Sequence, residues 1–140
     1  MSRPPVELVR DAFAHWQVGD YGVLLDFFLT RSTPDVELCS RLAGVGGETY
    51  RGHDGLRAWL ADIQENFERF TPWQEDVREA GSDRVVAVGG ISFRARESGV
   101  DMDVPWGWIY EFSEGQLSRM LFYGSPGEAL EAAEAGGLEE

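Results

Sequence analysis

Residues 104–123 read VPWGWIYEFSEGQLSRMLFY. Bulky side chains alternate along the first half, so Trp106, Trp108, Tyr110 and Phe112 share one side of an extended chain. Glu114-Gly115 is a turn pair, and Met120 and Phe122 take the matching side of the returning strand. The stretch is a β-hairpin with one strongly aromatic face. Its neighbours extend the pattern. Residues 71–80 read as a strand ending at Gly81-Ser82, 83–96 as a strand turning at Ser98-Gly99, and 100–113 and 116–123 as the two arms of the hairpin. Three hairpins in succession predict an antiparallel meander.

Upstream the hydrophobic period changes from two to that of a helix. Over residues 5–18, Leu8, Val9, Ala12, Phe13 and Trp16 recur at helical spacing, with Pro4 and Pro5 in the first turn and Gly19 as the stop. Asp20 caps a second short helix whose buried side is Val23, Leu24, Phe27 and Phe28. Thr33-Pro34-Asp35 reads as a turn. Residues 35–41 read as a short strand with Val36, Leu38 and Ser40 on one face and Glu37 and Cys39 on the other. Gly44 to Gly47 is a flexible loop, and 48–51 a short strand. Residues 53–69 predict a third helix, with Leu56, Trp59, Leu60, Ile63 and Phe67 along one stripe. Pro126 opens a last helix, GEALEAAEA, ending at Gly136-Gly137. With no repeat and no linker, the expectation is one domain over 1–140. Its class is α+β: three to four helices packed against a curved antiparallel sheet.

Composition narrows the chemistry. The 140 residues are 43% hydrophobic and 12% aromatic, too rich for a disordered chain. All 12 basic residues are Arg. Without lysine there is no Schiff-base amine and no P-loop lysine. A net charge of −13 repels phosphate backbones and anionic lipid surfaces, so neither nucleic acid nor membrane is expected as a partner. After Arg119 no basic residue follows, only Glu128, Glu131, Glu134, Glu139 and Glu140, a solvated helix and tail. One cysteine, Cys39, excludes an intrachain disulfide and suits a reducing compartment. The N-terminus has no signal-peptide core, and no apolar run reaches membrane-span length. These features lead to an expected cytoplasmic location. His15, His53 and Cys39 lie too far apart in sequence for metal-ligand spacing, so no metal and no cofactor is expected.

Several phrases, in this order, resemble the SnoaL-like branch of the nuclear transport factor 2-like superfamily: VRDAFAHWQVGDYGVLLDFF at 9–28, TPDVEL at 33–38, TYRGHDGLRAWL at 49–60, residues 104–123, and GEALEAA at 127–133. The resemblance implies an α+β cone or barrel: a bent sheet wrapped on the long helix, an apolar pocket inside, and a homodimer paired through the outer sheet face. Polyketide cyclases belong to this branch; ketosteroid isomerases, dehydratases and epoxide hydrolases are relatives. Laid over this chain, the isomerase tyrosine falls on Ala12, its base on Leu38 and its second acid near Trp108. The acid–base aspartate of the cyclases falls near Phe122. None of these side chains moves a proton, and the Asp–Arg–Asp set of the epoxide hydrolases finds no place here.

Within a cone, Val36, Ser40, Ile91 and Phe112 face inward together with the expected pocket set of Ala12, Trp16, Leu38, Trp59, Phe93, Trp106, Trp108, Tyr110, Met120 and Phe122. These side chains are either simply core or the lining of a ligand cavity; five tryptophans in 140 residues favour the cavity. Tyr110, Tyr50 and the Trp108 indole are the polar handles. Asp101 and Asp103 fall on the face opposite Trp108 unless a bulge at Pro105-Trp106-Gly107 reverses them. Arg57, Arg94 and His15 read as surface residues, and His53 as a first-turn residue. Three functions stay open: a binder of a hydrophobic small molecule; an isomerase, cyclase or dehydratase acting on a polyketide- or steroid-like metabolite; and an interaction module using the outer sheet face.

Overall fold

Pro5 begins α1 (Pro5–Val18), whose buried stripe is Leu8, Val9, Ala12, Phe13 and Trp16. Gly19 takes a φ of 83°, and its N–H donates to the His15 carbonyl to close the helix. Asp20 then opens α2 (Tyr21–Arg31). Its Oδ1 accepts from the backbone N–H of Gly22 at 3.1 Å and of Val23 at 3.2 Å, a cap worth about 0.5–2 kcal/mol. The computed structural model describes residues 4–40, 49–81 and 83–134. The glycine loop at 44–47 and the stop at Gly136-Gly137 lie outside the described residues.

The chain continues as β1 (Ser32–Ser40), β2 (Thr49–Arg51), α3 (Gly52–Asn66), β3 (Phe67–Glu79), β4 (Arg84–Ala95), β5 (Asp101–Ser113), β6 (Gln116–Tyr123) and α4 (Pro126–Glu134). The six strands form one sheet in the order β2-β1-β6-β5-β4-β3. The meander of β3 to β6 is as the turn residues require. The sheet as a whole is mixed: β1 runs parallel to β6, pairing Leu38 with Met120. Two local readings are corrected. Thr33-Pro34-Asp35 is part of β1, not a turn. The third helix stops at Asn66, and Phe67 already pairs with Ala95 in the sheet.

Two apolar layers hold the sheet. On the inner face, α1, α2 and α3 pack with Val36, Leu38, Val85, Ala87, Ile91, Trp108, Tyr110, Phe112 and Met120 in one cluster. On the outer face, Val86, Val88, Ile109, Leu121 and Tyr123 pack under Ala129 of α4. Gly107 makes this approach possible: a Cβ there would sit 2.4 Å from the Cβ of Ala129. Register shifts in β3, β6 and β1 bend the strands. In β6 the extra residue is Ser118, whose hydroxyl donates to the Glu111 carbonyl at 3.1 Å.

One row of the outer face is wholly charged. Arg51, Glu37, Arg119, Glu111 and Arg84 stand opposite one another across five strands. Arg51 bonds Glu37 at 2.6 Å. Arg119 holds Glu111 with two bonds of 2.9 and 3.2 Å, and Arg84 lies 3.6 Å from Glu111. Alternating sign turns a cross-strand repulsion into attraction. No helix among the described residues is long and apolar enough to cross a membrane.

Candidate functional site

Trp108 stands opposite Phe122, and Tyr110 opposite Met120, in the β5–β6 register. This pairing sets four of the sequence-predicted side chains on the inner face at adjacent strand positions. Trp16 arrives from α1 and Trp59 from α3, with ring centroids 5.7 Å apart and planes at 78°. Trp59 also stacks on Phe122 at 5.9 Å. Between these rings lies a cavity of about 100 Å³. Trp16, Trp59, Trp106, Trp108, Tyr110, Met120 and Phe122 line it, joined by Phe13, Phe70, Pro72 and Ile91.

The other expected members stand elsewhere. Ala12 lines a second, smaller cavity of about 20 Å³ on the far side of Tyr110, beneath Leu8, Phe27 and Phe28. Leu38 is fully buried in the core. Phe93 packs edge-on against Phe67 at 5.2 Å. Ile91 is among the residues expected to face inward, and the lining residues beyond that expectation have simple causes. Phe13 shares the α1 stripe with Trp16. Phe70 belongs to the part of β3 that precedes the strand read at 71–80, and Pro72 lies inside that strand; they pair with Phe93 and Ile91.

Among the lining residues the only ionisable group is Tyr110. It is 3% exposed, and burial pushes its hydroxyl well above the ordinary phenol range. No hydrogen-bond partner for it stands among the described residues. At neutral pH the site therefore presents a neutral phenol and indoles, with no carboxylate, imidazole or guanidinium on the wall. The positions where the resemblance requires acids or a tyrosine hold the buried apolar side chains Ala12, Leu38 and Trp108, and Phe122 on the cavity wall.

The other polar residues that the sequence singles out stand away from the cavity lining. Tyr50 donates to Asp62 at 2.6 Å. The β4–β5 register runs unbroken from Arg84–Glu111 to Arg94–Asp101, so no bulge reverses the aspartates. Asp101 binds Arg94 at 2.7 Å and Arg69 at 3.0 Å, and Asp103 is exposed. Arg57 pairs with Asp54, and Arg94 also reaches Glu68 at 3.1 Å. His15 is half-buried against the Phe27 ring, at 4.8 Å, rather than exposed. His53 lies in the first turn of α3, with its Nε2 buried and unpartnered. No cluster of His, Cys, Asp or Glu suited to a metal occurs among the described residues.

Tyr110 makes a pH-dependent contribution. Its folded pKa lies above its unfolded value, so its contribution is complete below the ordinary phenol pKa of about 10. Above that pH the unfolded chain loses the proton first, and stability falls. Tyr21 is raised by burial and acts in the same direction, with Arg96 opposing. Urea unfolding between pH 8 and 11 is expected to show a shallower alkaline loss in Tyr110→Phe than in the parent chain. At pH 7 the two should differ little, because the hydroxyl has no partner to lose. Equal alkaline slopes would contradict the burial of Tyr110.

A mixed sheet holding α1–α3 on one face, with an aromatic cavity inside, defines a nuclear transport factor 2-like α+β protein. The model of the SnoaL-like domain matches residues 9–120, and the chain belongs to that family. No curated protein sequence matches it. Among solved structures, a protein classed as a SnoaL-like polyketide cyclase from Jannaschia sp. CCS1 is 20% identical, with a TM-score of 0.72 over 96% of this chain and 98% of the other. A protein with a ketosteroid isomerase-like fold from Catenulispora acidiphila, in complex with trimethylamine, is 15% identical, with a TM-score of 0.72 over 94% of each chain. TerC, co-crystallised with polyporic acid, is 22% identical, with a TM-score of 0.72 over 94% of this chain and 99% of its own. At these identities the likeness concerns the fold.

Proposed function

We propose that this chain is a small-molecule-binding SnoaL-like protein whose aromatic cavity holds a compact ligand without carboxylate acid–base chemistry. The observation carrying this reading is the cavity wall itself: Tyr110 is its one ionisable group, and burial keeps it protonated. A neutral phenol donates or accepts one hydrogen bond but does not take a proton from carbon. The neighbours support a binding role in general terms, one with polyporic acid and one with trimethylamine. Size argues for a compact ligand. Sites for drug-sized molecules enclose roughly 300–1,000 Å³, and about 100 Å³ is present here.

A second reading is an isomerase, cyclase or dehydratase in which the Tyr110 hydroxyl polarises a substrate oxygen; its unpartnered state in the cavity favours that. A steroid- or polyketide-sized substrate then requires the Trp59 and Phe122 rings to swing aside. The interaction-module reading has less support, since α4 covers the outer apolar cluster. The homodimer stays within the proposal; a second copy has access to the outer face at exposed Pro105 and half-buried Trp73. The test is titration of intrinsic tryptophan fluorescence with a panel of compact neutral molecules and alkylammonium ions. A saturable shift with at least one of them is expected; silence across the whole panel removes the ligand cavity from the protein's function.

A further inference from the structure

We propose that the aromatic cavity selects a small, fully or nearly fully alkylated ammonium cation, such as a trimethylammonium group. This rests on the small-molecule-binding reading above and specifies its ligand class.

Four observations lead to it. The first is size. An engineered apolar cavity of about 150 Å³ admits benzene, so about 100 Å³ suits a body of roughly four non-hydrogen atoms, the size of a trimethylammonium group. The second is the arrangement of the walls. Trp16 meets Trp59 at 78°, and Phe13 meets Trp108 at 80°. The inner corner of a T-shaped pair is bounded by two ring faces. Ring faces carry the negative lobe of the aromatic quadrupole. They attract a cation and repel the oxygen of a neutral carbonyl ligand.

The third observation is the supply of hydrogen-bond acceptors. Indoles only donate, and the Met120 thioether accepts weakly. The hydroxyl oxygen of Tyr110 is the one strong side-chain acceptor on the wall. A primary ammonium has three N–H groups to satisfy where the wall's side chains offer one strong acceptor, a mismatch that costs binding free energy. A quaternary ammonium has none to satisfy, and a tertiary one has a single N–H, which Tyr110 can take. Alkyl groups also spread the charge over a larger radius, which lowers the cost of leaving water. The fourth is the field. No Arg or His lines the cavity, and the chain carries a net charge of −13, which concentrates cations near it.

The test uses the whole chain and compares four probes at matched ionic strength by calorimetry and tryptophan fluorescence. These are tetramethylammonium, trimethylammonium, methylammonium and tert-butanol, the last a neutral molecule of similar size. The first two are expected to bind at least tenfold more tightly than the last two. Trp59 and Trp106 are only half-buried, so Trp59→Leu and Trp106→Leu are suitable wall variants. Each should weaken tetramethylammonium at least tenfold while leaving tert-butanol within threefold; far-UV circular dichroism verifies folding, and one folded variant suffices. If tert-butanol binds as tightly as tetramethylammonium, or a folded variant keeps the parent's affinity for the cation, the cation assignment fails and the binding reading survives. If none of the four probes binds, the cation assignment fails; if the neutral panel is silent as well, the binding reading fails with it.

Discussion

Trp108→Ala is expected to lower folding stability by about 3–5 kcal/mol, the range for deleting a large buried aromatic. Trp108 is 4% exposed. It meets Phe13 edge-on at 5.0 Å and lies between Ala87 and Phe122 across the sheet. Neither neighbouring strand can close over the gap, because both are fixed in register on either side. The loss therefore combines lost transfer energy with a retained cavity. Domains are stable by only about 5–15 kcal/mol in total, so the variant should sit close to the folding threshold. Urea unfolding measures it: the midpoint drops while the denaturant slope stays constant. The new void joins the existing space of about 100 Å³, so added indole should raise the midpoint again by binding only the folded form. An unfolding free energy within about 1 kcal/mol of the parent's would show that Trp108 is not packed as described.

The second large effect concerns Gly89. A Cβ built there lies 2.2 Å from the Trp73 carbonyl oxygen and 2.8 Å from the Gln74 Cα. Both atoms are backbone, so no side chain can swing away. Beside the register shift at Gln74/Asp76, β3 bends over this glycine. Gly89→Ala should push β3 off β4 and cost about 1–3 kcal/mol or more. Amide exchange should rise in β3 far more than in β5 or β6. Gly127→Ala is the control: it stands in α4 with nothing within 4 Å of its Cβ, and alanine there is neutral or slightly favourable. A Gly89→Ala protein as stable as the parent would contradict the close approach of β3.

The hairpins and most helix limits were legible because each has a local cause. Glu114-Gly115 must turn, with φ positive at both residues, and alternation beyond it must place Trp108 and Met120 on one face. Asp20 and Gly19 mark their helix ends by chemistry of their own. The exceptions depend on partners remote in sequence. The helical stripe runs on to Phe67, but α3 stops at Asn66 because β4 is there to pair with. Arg96 seals that end, its N–H donating to the Asn66 carbonyl at 3.0 Å and its Nε to the Gln64 carbonyl at 2.8 Å. Pro34 reads as a turn residue, yet β1 carries it beside β6, where the register is irregular. The same limit applies to the cavity. Alternation finds Trp106, Trp108 and Tyr110. Phe70 could be found only once β3 was known to start at Phe67, and Pro72, inside the strand read at 71–80, only once its pairing with Ile91 was known. Neither the volume nor the right-angled rings can be read from spacing.

The parallel pairing of β1 with β6 has a consequence for how the protein is made. On the ribosome, α1, α2 and β1 emerge early, while β6 is completed only at Tyr123. Until then Val36 and Leu38 have no strand on that side to cover them, and a contact spanning most of the chain must wait for its second half. The nascent N-terminal half cannot become an independent domain. It keeps an open apolar edge, and the aromatic cavity comes into being only when β6 brings Met120 and Phe122.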